Sequence, residues 1–391
     1  MTLPWIAPGA AIDWPALEAL VAAVVGTEQL AATQQDPGYH AEGDVWTHTK
    51  MAIEALVAGP RYAALDRDGQ AIVLAGVLLH DAGKPATTRR DPLSDKWTSR
   101  GHSARGDNLV RVALWRLGVP FGIREHVCAL VRSHQVPFFG ITKPAAEATR
   151  LAIRLSLVTR NDWLVAVADA DARGRRCADP ADQDRIVDHC ALRAEHCREL
   201  AVLDQAFAFP TAHTSRVFFE AEPGARQPGA PAHDDTTCDA ILMSGLPASG
   251  KDTWLAHQEL PVISLDDLRT ELDIDPAGDQ AHVIAAAREQ ARVHLRTATS
   301  FAWNASNLSP PLRSQLLELF RGYRARTHVV YVETTAEEQH ARNRARPDPV
   351  PQAAITRMLE RWTVPDPSEA HRVTYLVPDR AGPAWPPGGK S

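Results

Sequence analysis

The spacing of apolar residues divides the chain into two regions. Up to residue 219, apolar positions recur at helical intervals, as in AIVLAGVLLHD, LAIRLSLVTRNDWLVAVADAD and DRIVDHCALRAEHCRELAVLDQAF. From residue 238 onward, helical stretches alternate with short apolar runs that are typical of strands, namely AILMS, PVISL, SFAW, HVVYV and RVTYLV. We therefore predict two domains: an all-α front domain over residues 1–219 and an α/β rear domain with a parallel sheet over residues 238–391.

The segment between these regions has a different composition. From Glu220 to Asp235 it reads EAEPGARQPGAPAHDD, which is dominated by proline, glycine and alanine. No apolar period runs through it. We therefore predict a linker over residues 220–237.

Composition and charge narrow the functional classes only a little. A length of 391 residues suits two domains better than one core. A net charge of −6 argues against a protein that coats nucleic acid, although a few arginines are enough to bind one strand end. The sequence has five cysteines without a CxxC pair, no signal-peptide pattern and no apolar run of bilayer length. We therefore expect a cytoplasmic protein without a membrane partner.

A histidine and an aspartate close an apolar helix of the front region. His80 and Asp81 directly follow AIVLAGVLL, and Gly83 and Pro85 end the helix. An imidazole nitrogen and a carboxylate oxygen in adjacent positions can bind one metal ion. Neighbouring segments contribute four further candidate ligands, which are His48, His102, His134 and Asp171.

The order of one histidine, a His-Asp pair and a distant aspartate resembles the HD phosphohydrolase superfamily. HDAGKP followed much later by DARGR is similar to the HD module of some bacterial tRNA nucleotidyltransferases, and more closely to the front domain of bacterial HD–polynucleotide kinase fusions. The resemblance implies one divalent transition-metal ion, held by His48, His80, Asp81 and Asp171. For the binuclear members it implies a second ion, held by His102 and His134.

The same resemblance implies a phosphoesterase in which the bound metal activates water. Lys84 and Arg175 are candidates for binding a phosphate oxygen. Asp169 competes with Asp171 as the last ligand, and the ARGR sequence that follows Asp171 matches the family and favours it.

The alternative is that these residues are unrelated polar or capping residues. A lone His-Asp dipeptide occurs often by chance, but here the preceding helix and the surrounding histidines match together. His40 and His126 lack such a context and are interpreted as ordinary polar residues. The two His-Cys pairs at residues 189–190 and 196–197 lie ~10 Å apart along one helix, too far for a single ion, and are interpreted as a packed stripe.

A phosphate-binding loop is the strongest motif of the rear region. GLPASGK, from Gly245 to Lys251, follows the run AILMS and precedes a helix, as the GxxxxGK loop requires. Glycines let backbone amides turn towards a phosphate, and Lys251 reaches the outer phosphates. The loop predicts ATP, or another nucleoside triphosphate, with Mg²⁺. The predicted nucleotide-binding residues here are Gly245, Ser249, Gly250, Lys251, Asp252 and Thr253.

Asp252 departs from the usual loop, which has serine or threonine as a magnesium ligand at this position. Its carboxylate can bind the metal directly or through water, but it also adds negative charge near the phosphates. The sequence leaves its role open.

The next run ends in SLDDLR, and an aspartate at the carboxyl end of a strand faces the ligand crevice of an open α/β sheet. The rear region as a whole resembles the phage-type 5'-hydroxyl polynucleotide kinase family. The resemblance lies in four motifs, which occur in the order GLPASGKDTW, DDLR, SNLSP and ARNRAR. The resemblance implies that Asp266 is the general base for the 5'-hydroxyl and that Arg269 holds the neighbouring phosphate of the acceptor strand. It also implies that Arg342 and Arg346 cover the ATP phosphates.

Several neighbouring residues have simpler interpretations. Arg342, Arg344 and Arg346 could form a solvated basic face, although their place after the fourth strand favours a lid, with Arg346 first. Asp267 is interpreted as a helix cap or a solvated neighbour. For Asn304 and Asn307, orientation of the acceptor and capping of the next helix both stay open.

Together the two resemblances imply a bifunctional enzyme that heals RNA or DNA strand ends. The rear domain would phosphorylate 5'-OH ends, and the front domain would remove 2'- or 3'-phosphate or open a 2',3'-cyclic phosphate, so that a separate ligase can seal the strand. One alternative is a nucleoside or metabolite kinase fused to an HD nucleotide phosphohydrolase. Another is a non-catalytic ATP-sensing module. The DDLR arginine argues against the first alternative, and the intact candidate residues argue against the second.

Overall fold

The computed structural model describes residues 2–379, 381 and 383–387. Within this part of the chain there are two compact units. The first contains residues 2–208 together with the described residues from 379 onward, and the second contains residues 209–378. Among the described residues, no helix is both long and apolar enough to cross a membrane.

Among its described residues the first unit is helical, as predicted, apart from one short hairpin and an isolated bridge between Gln34 and Asp44. Strands β1 (Arg89–Arg90) and β2 (Trp97–Thr98) pair antiparallel, and two residues per strand are too few to give an apolar alternation in the sequence. The helices are α1 (Trp14–Val24), α2 (Thr27–Ala31), α3 (Val45–Ala58), α4 (Pro60–Ala63), α5 (Arg67–Leu79), α6 (Lys84–Thr87), α7 (His102–Arg116), α8 (Phe121–Ser133), α9 (Val136–Phe139), α10 (Ala145–Ser156), α11 (Asn161–Arg173) and α12 (Pro180–Glu199).

Helix α5 lies in the centre of this unit, packed against α3, α8 and α11. Its start is fixed by Asp66, whose carboxylate accepts a hydrogen bond from the Gly69 amide at 2.7 Å. A Cβ atom at Gly76 would lie 3.1 Å from Leu130 and 3.2 Å from Val167, so glycine allows α5 to pack closely against α8 and α11. The end of α5 is therefore held deep in the unit.

A segment far along the chain completes the first unit. The indole nitrogen of Trp385 donates to the Val158 carbonyl at 2.8 Å, and its ring lies 5.4 Å from that of Phe121. His126 Nε2 donates to the Ala384 carbonyl at 3.2 Å. The residues around position 385 are thus part of the front unit, although the rear unit precedes them in the sequence.

The second unit is built on a parallel sheet of five strands in the order β4-β5-β3-β6-β7. Its strands are β3 (Cys238–Ser244), β4 (Val262–Ser264), β5 (Phe301–Asn304), β6 (Ala325–Val332) and β7 (Arg372–Leu376). Its helices are α13 (Ala212–Glu220), α14 (Lys251–Leu255), α15 (Leu265–Glu271), α16 (Ala281–Arg296), α17 (Pro310–Gly322), α18 (Ala336–Arg344) and α19 (Gln352–Leu359), with a 3-10 turn at Pro367–Glu369. The five apolar runs of the sequence are the five strands, which confirms the predicted α/β architecture.

The boundaries of the two units differ from the prediction, which ended the front domain at residue 219, placed a linker over residues 220–237 and gave residues 238–391 to the rear domain. Helix α13 belongs to the second unit, where Arg216 donates to the Ser368 carbonyl at 2.6 Å. Glu220, the first residue of the predicted linker, forms an ion pair with Arg321. The proline- and glycine-rich segment after Glu220 is therefore a loop within the second unit. The described residues from 379 onward, placed in the rear domain from sequence, join the first unit.

Candidate functional sites

Three helices and two helix ends bring together the histidines and aspartates of the first unit. His48 lies on α3, Asp171 on α11, and His80 and Asp81 directly follow α5. His102 begins α7 and His134 directly follows α8. A Cβ atom at Gly83 would lie 2.1 Å from the His102 carbonyl oxygen, so glycine lets the turn after Asp81 approach α7. The side chains that the sequence selected therefore meet in one buried place.

These side chains form two adjoining groups, each compact enough to hold one metal ion. The first contains His48, His80 and Asp171, and the second contains Asp81, His102 and His134. In the first group, His48 Nε2 lies 3.0 Å and His80 Nε2 lies 3.9 Å from Asp171 Oδ1. In the second, Asp81 Oδ1 lies 3.4 Å from His102 Nε2 and 3.9 Å from His134 Nε2. His80 and Asp81, 3.2 Å apart, join the groups.

The orientation of each histidine ring is fixed by its other nitrogen. The Nδ1 atoms of His80, His102 and His134 lie 2.6–2.8 Å from the carbonyl oxygen three residues earlier in the chain. Because a carbonyl oxygen only accepts, Nδ1 carries a proton in all three rings, so each ring in its neutral form presents its Nε2 lone pair to the cluster. His48 Nδ1 lies 2.9 Å from Glu42 Oε1, which favours the same tautomer.

The electrostatics of the cluster keep its carboxylates ionised. Burial disfavours the Asp81 carboxylate, but His80 and Lys84 outweigh it and hold its pKa well below the usual range. Asp171 is also buried, and Arg175 and His48 hold its pKa well below the usual range. Burial, assisted by His80, lowers the pKa of His134 to about 3, so this ring is neutral near pH 7.

The donor set fits divalent transition-metal ions. Imidazole nitrogens with carboxylate oxygens are typical ligands for such ions. Within the described residues, His80 Nε2 and both oxygens of Asp81 are buried and form no well-aligned hydrogen bond. Buried polar atoms are normally hydrogen-bonded, so these atoms are suited to coordinate an ion instead.

Two cations contact the cluster. Lys84 Nζ lies 2.7 Å from Asp81 Oδ2 and donates to Gln35 Oε1 at 2.6 Å. Arg175 donates from two nitrogens to Asp171 Oδ1 at 2.8–2.9 Å. Both cations, with His102, line a cavity of about 670 Å³ at the cluster. A phosphate in this cavity would therefore meet positive charge beside the metal-ligating atoms.

The geometry distinguishes Asp171 from its competitor. Asp169 lies two residues earlier on α11 and faces away from the histidines, since its carboxylate accepts from Arg173 Nε at 2.8 Å and lies 3.8 Å from Arg61. The two His-Cys pairs of α12 lie outside the cluster. Cys190 and Cys197 are buried in helix packing, and His189 Nδ1 donates to the Phe138 carbonyl at 2.7 Å.

Glu42 and His40 are the residues that sequence reasoning missed. Glu42 contacts His48 as described above, and it also lies 2.9 Å from His40 Nδ1. His40, Glu42 and His48 form a third compact group of potential ligands. The sequence signal was an acidic residue six positions before the first histidine of the motif, in an irregular segment where no periodicity marks it.

The loop Gly245–Lys251 connects β3 to α14 in the second unit. Gly245, Ala248 and Gly250 have φ angles of 151°, 62° and 106°. At Gly245 a Cβ atom would lie 2.3 Å from the Val332 carbonyl oxygen, so only glycine fits. Lys251 Nζ donates to the Gly245 and Leu246 carbonyls at 3.1 and 2.8 Å. Burial, with a smaller contribution from Arg346, lowers the pKa of Lys251 to about 8.

A cavity of about 550 Å³ opens beside this loop. Its lining includes six of the residues predicted to bind nucleotide, which are Ser249, Gly250, Asp252, Thr253, Arg342 and Arg346. Gly245 and Lys251 lie outside the lining. Arg342 is ion-paired with Glu338 on the same helix. Asp252 Oδ1 accepts from Asn304 Nδ2 at 2.7 Å, so the unusual aspartate of the loop is held by a residue at the carboxyl end of β5.

The predicted acceptor residues lie at the carboxyl end of β4. Asp266, in the first turn of α15, has a side chain that is 76% exposed and pairs with Arg269, whose Nε donates to Gln280 Oε1 at 2.6 Å. Neither Asp266 nor Arg269 lines the cavity beside the loop. The Asp267 amide donates to Ser264, the cap of α15, so Asp267 itself is not the cap.

Asn307 stabilises the backbone near β3 and does not line the cavity beside the loop. Its side chain donates to the Met243 carbonyl at 2.8 Å, and its own carbonyl accepts from Arg313. Helix α17 is preceded by Ser309 as its cap residue. Asn307 therefore fixes the loop after β5, and of the two asparagines only Asn304 contacts a predicted nucleotide-binding residue.

The second unit is similar in sequence to one family model and in fold to solved structures. Residues 241–365 match the family model described as AAA domain. Two solved structures are similar. A putative kinase from Chloroflexus aurantiacus is 16% identical with a TM-score of 0.31, and the match covers 37% of this chain and 86% of that one. A sugar kinase from Janibacter sp. is 16% identical with a TM-score of 0.29, and the match covers 36% of this chain and 85% of that one. The phosphate loop and the parallel sheet make the second unit an α/β P-loop domain, and the family match covers most of this unit.

Curated proteins of another kind are similar to part of the chain. It is 28% identical to the A-adding tRNA nucleotidyltransferase of Deinococcus radiodurans over 173 residues, which are 44% of this chain and 36% of that protein. It is 30% identical to the multifunctional CCA protein of Halorhodospira halophila over 158 residues, 40% of this chain and 35% of that protein. The chain thus spans about a third of the length of these relatives.

Proposed function

We propose that this chain is a bifunctional enzyme that heals nucleic-acid ends, with an HD-type metal-dependent phosphoesterase in the first unit and a polynucleotide 5'-hydroxyl kinase in the second. The observation that carries the proposal is the pair of adjoining ligand groups, joined by His80 and Asp81, of which His102 lines a cavity together with Lys84 and Arg175. The phosphate loop supplies the second activity in the same chain.

In the first unit, each predicted ligand has a defined role. The groups His48–His80–Asp171 and Asp81–His102–His134 would each hold one divalent ion. When bound, such ions lower the pKa of water and neutralise charge on a phosphoester. Lys84 and Arg175 keep positive charge at the cavity, where they bind the non-bridging oxygens of the terminal phosphate. Removal of a 2'- or 3'-phosphate frees the hydroxyl and releases inorganic phosphate, whereas opening of a 2',3'-cyclic phosphate by water frees one hydroxyl and leaves a phosphate monoester on the other; a separate ligase would then act on the healed end.

In the second unit, the loop residues hold the phosphates of ATP, and Asp252 would bind Mg²⁺ directly or through water. The loop amides and Lys251 contact the phosphates, while Arg346 stabilises the charge that spreads over the transferred phosphoryl oxygens. Asp266 accepts the proton of the 5'-hydroxyl, and Arg269 binds the adjacent phosphate of the acceptor strand. The exposed position of Asp266 at the end of β4 suits a large acceptor.

A second candidate is a small-molecule kinase joined to a nucleotide phosphohydrolase. One observation favours it: Arg269 already contacts Asp266 and Gln280 within the chain, so these contacts must rearrange for a strand phosphate. The tRNA nucleotidyltransferases among the relatives favour a nucleic-acid substrate instead. We therefore retain strand ends, of RNA or DNA, as the proposed substrate.

The test is a gel assay with an oligonucleotide that carries a 5'-OH and a 3'-phosphate. The full chain is incubated with ATP, Mg²⁺ and, in turn, a panel of divalent transition metals. Gain of a 5'-phosphate and loss of the 3'-phosphate are the expected results. Consumption of ATP with both strand ends unchanged would instead support the small-molecule candidate.

A further inference from the structure

The cavity at the histidine and aspartate cluster has an aromatic side that the proposed chemistry does not use. Four aromatic residues from three separate segments line it: Tyr39, Trp97 of β2, and Phe138 and Phe139 of α9. Tyr39 is 46% exposed and Phe139 is 60% exposed. Exposed aromatic rings that share one cavity with the reactive groups are typical of a ligand site with an apolar, planar part.

Phe139 is held in a fixed relation to the cluster. Its neighbour Phe138 is buried and carries the Arg175 guanidinium 4.7 Å above its ring. The Phe138 carbonyl accepts from His189 Nδ1 at 2.7 Å. Because Arg175 is also bound to Asp171, the short helix that presents Phe139 is tied to the ligand groups. The aromatic side is therefore preorganised rather than a chance exposure of single rings.

The charged side chains in the rest of the lining are mostly cationic. Lys84 and Arg175 lie at the buried end, and the exposed Arg100 and Arg185 also belong to the lining. Among the lining residues the carboxylate is that of Asp36, and it already accepts from the Gly38 amide at 3.0 Å. Arg185 is paired with Asp182, which lies outside the lining. A ligand with several negative charges and one flat apolar part matches this distribution.

We propose that the cavity binds the terminal nucleotide of a single strand, with its base stacked on Phe139 and Tyr39 and its terminal phosphate at Lys84 and Arg175. Arg100 and Arg185 then meet the phosphate of the preceding nucleotide. This inference rests on the proposed phosphoesterase function and deepens it, because it assigns a base-binding part to the site. Stacking accepts every base, so the site recognises a nucleotide end of any sequence.

The test compares two oligonucleotides that end in a 3'-phosphate and differ only in whether the terminal nucleotide has a base. For the oligonucleotide with the base, Phe139→Ala lowers kcat/KM for phosphate release roughly 5- to 100-fold, mainly through KM. For the one without the base, the same change has little effect. Phe139→Trp keeps the stacking surface and restores the rate. Trp5→Ala is the matched control, since Trp5 is an exposed aromatic of the same unit outside the cavity.

Equal losses for both oligonucleotides, or no loss for either, would overturn the inference. Failure of the proposed function is recognised separately, because the unaltered chain would then release phosphate from neither oligonucleotide. In that case, the affinities of the chain for the same two oligonucleotides, measured by fluorescence anisotropy, still test whether the cavity binds a base. Tighter binding of the one with the base, lost in Phe139→Ala, supports the base-binding site, and equal affinities refute it.

Discussion

His48 Nε2 lies 3.0 Å from Asp171 Oδ1, although 123 residues separate the two in the chain. The contact joins α3 to α11 across the central helix α5, whose end carries His80 and Asp81. The helical packing of the first unit therefore assembles one charged cluster from five separate segments. Changes to single members of the cluster should reveal which activity depends on it.

Replacement of Asp81 should remove the front activity alone. Asp81→Asn keeps the shape of the side chain but removes the charge that faces His80, Lys84 and two further histidines. We expect phosphate release from a 3'-phosphate end to fall by at least about 100-fold, because a charged metal ligand is lost. Phosphorylation of 5'-OH ends should stay unchanged. Asp169→Asn is the control, and equal effects of both variants would exclude Asp81 as a specific ligand.

Replacement of Asp266 should have the opposite effect. Asp266→Ala removes the proposed base at an exposed position, so the fold should tolerate it. Loss of a general base lowers the rate by about 10²- to 10⁴-fold, measured as transfer of labelled phosphate to a 5'-OH oligonucleotide. The adjacent Asp267→Ala provides a matched control that should retain activity. If the Asp266 variant still labels ends at the normal rate, the base is another group.

Glu42 should tune the affinity for metal without being essential for the fold. Glu42→Gln weakens the hold on His48 Nδ1, and comparable outer contacts contribute about 10- to 100-fold to metal affinity. The measurement is metal titration by calorimetry, with Glu28→Gln as an exposed control. A reduced affinity with the same number of ions supports an orienting role. A reduced number of ions would show that Glu42 is itself a ligand, as the group with His40 and His48 allows.

Trp385 should contribute to the stability of the first unit. Trp385→Ala removes its hydrogen bond to Val158 and its contact with Phe121. A loss of ~1–3 kcal/mol in the free energy of unfolding is expected from the buried area and the hydrogen bond together. The change in the free energy of unfolding is measured by denaturant unfolding, with the phosphoesterase activity of the front unit as the signal. Leu93→Ala, at a 97% exposed position, should leave the midpoint unchanged, and an unchanged midpoint for Trp385→Ala would contradict the docking.

Much of the architecture could be predicted because buried helices and strands have a recognisable apolar pattern in the local sequence. Each of the five strands is a short apolar run, and α5 is apolar on nearly every side because helices surround it. The candidate ligands were found for a different reason, since they match the spacing of a known motif. Their convergence in space was not readable from apolar periodicity.

The errors of prediction have physical causes as well. The segment after Glu220 has the composition of a linker, but a loop within a unit has the same composition, and contacts such as the ion pairs Glu220–Arg321 and Asp234–Arg326 show where it belongs. The return of Trp385 to the first unit is a contact over 227 residues with Val158, beyond the reach of any local pattern. Glu42 was missed because an irregular segment gives an acidic residue no periodic context.

The docking of Trp385 also has a consequence for the order in which the protein is made. Residues 209–378 leave the ribosome before Trp385 does, so the first unit cannot acquire its last side chains until the whole second unit has been synthesised. Co-translational folding of the front unit is thus a two-stage event, with an early helical assembly and a late closure. A nascent chain that stops within the second unit would carry a front unit without its final support, although its ligand residues are all present.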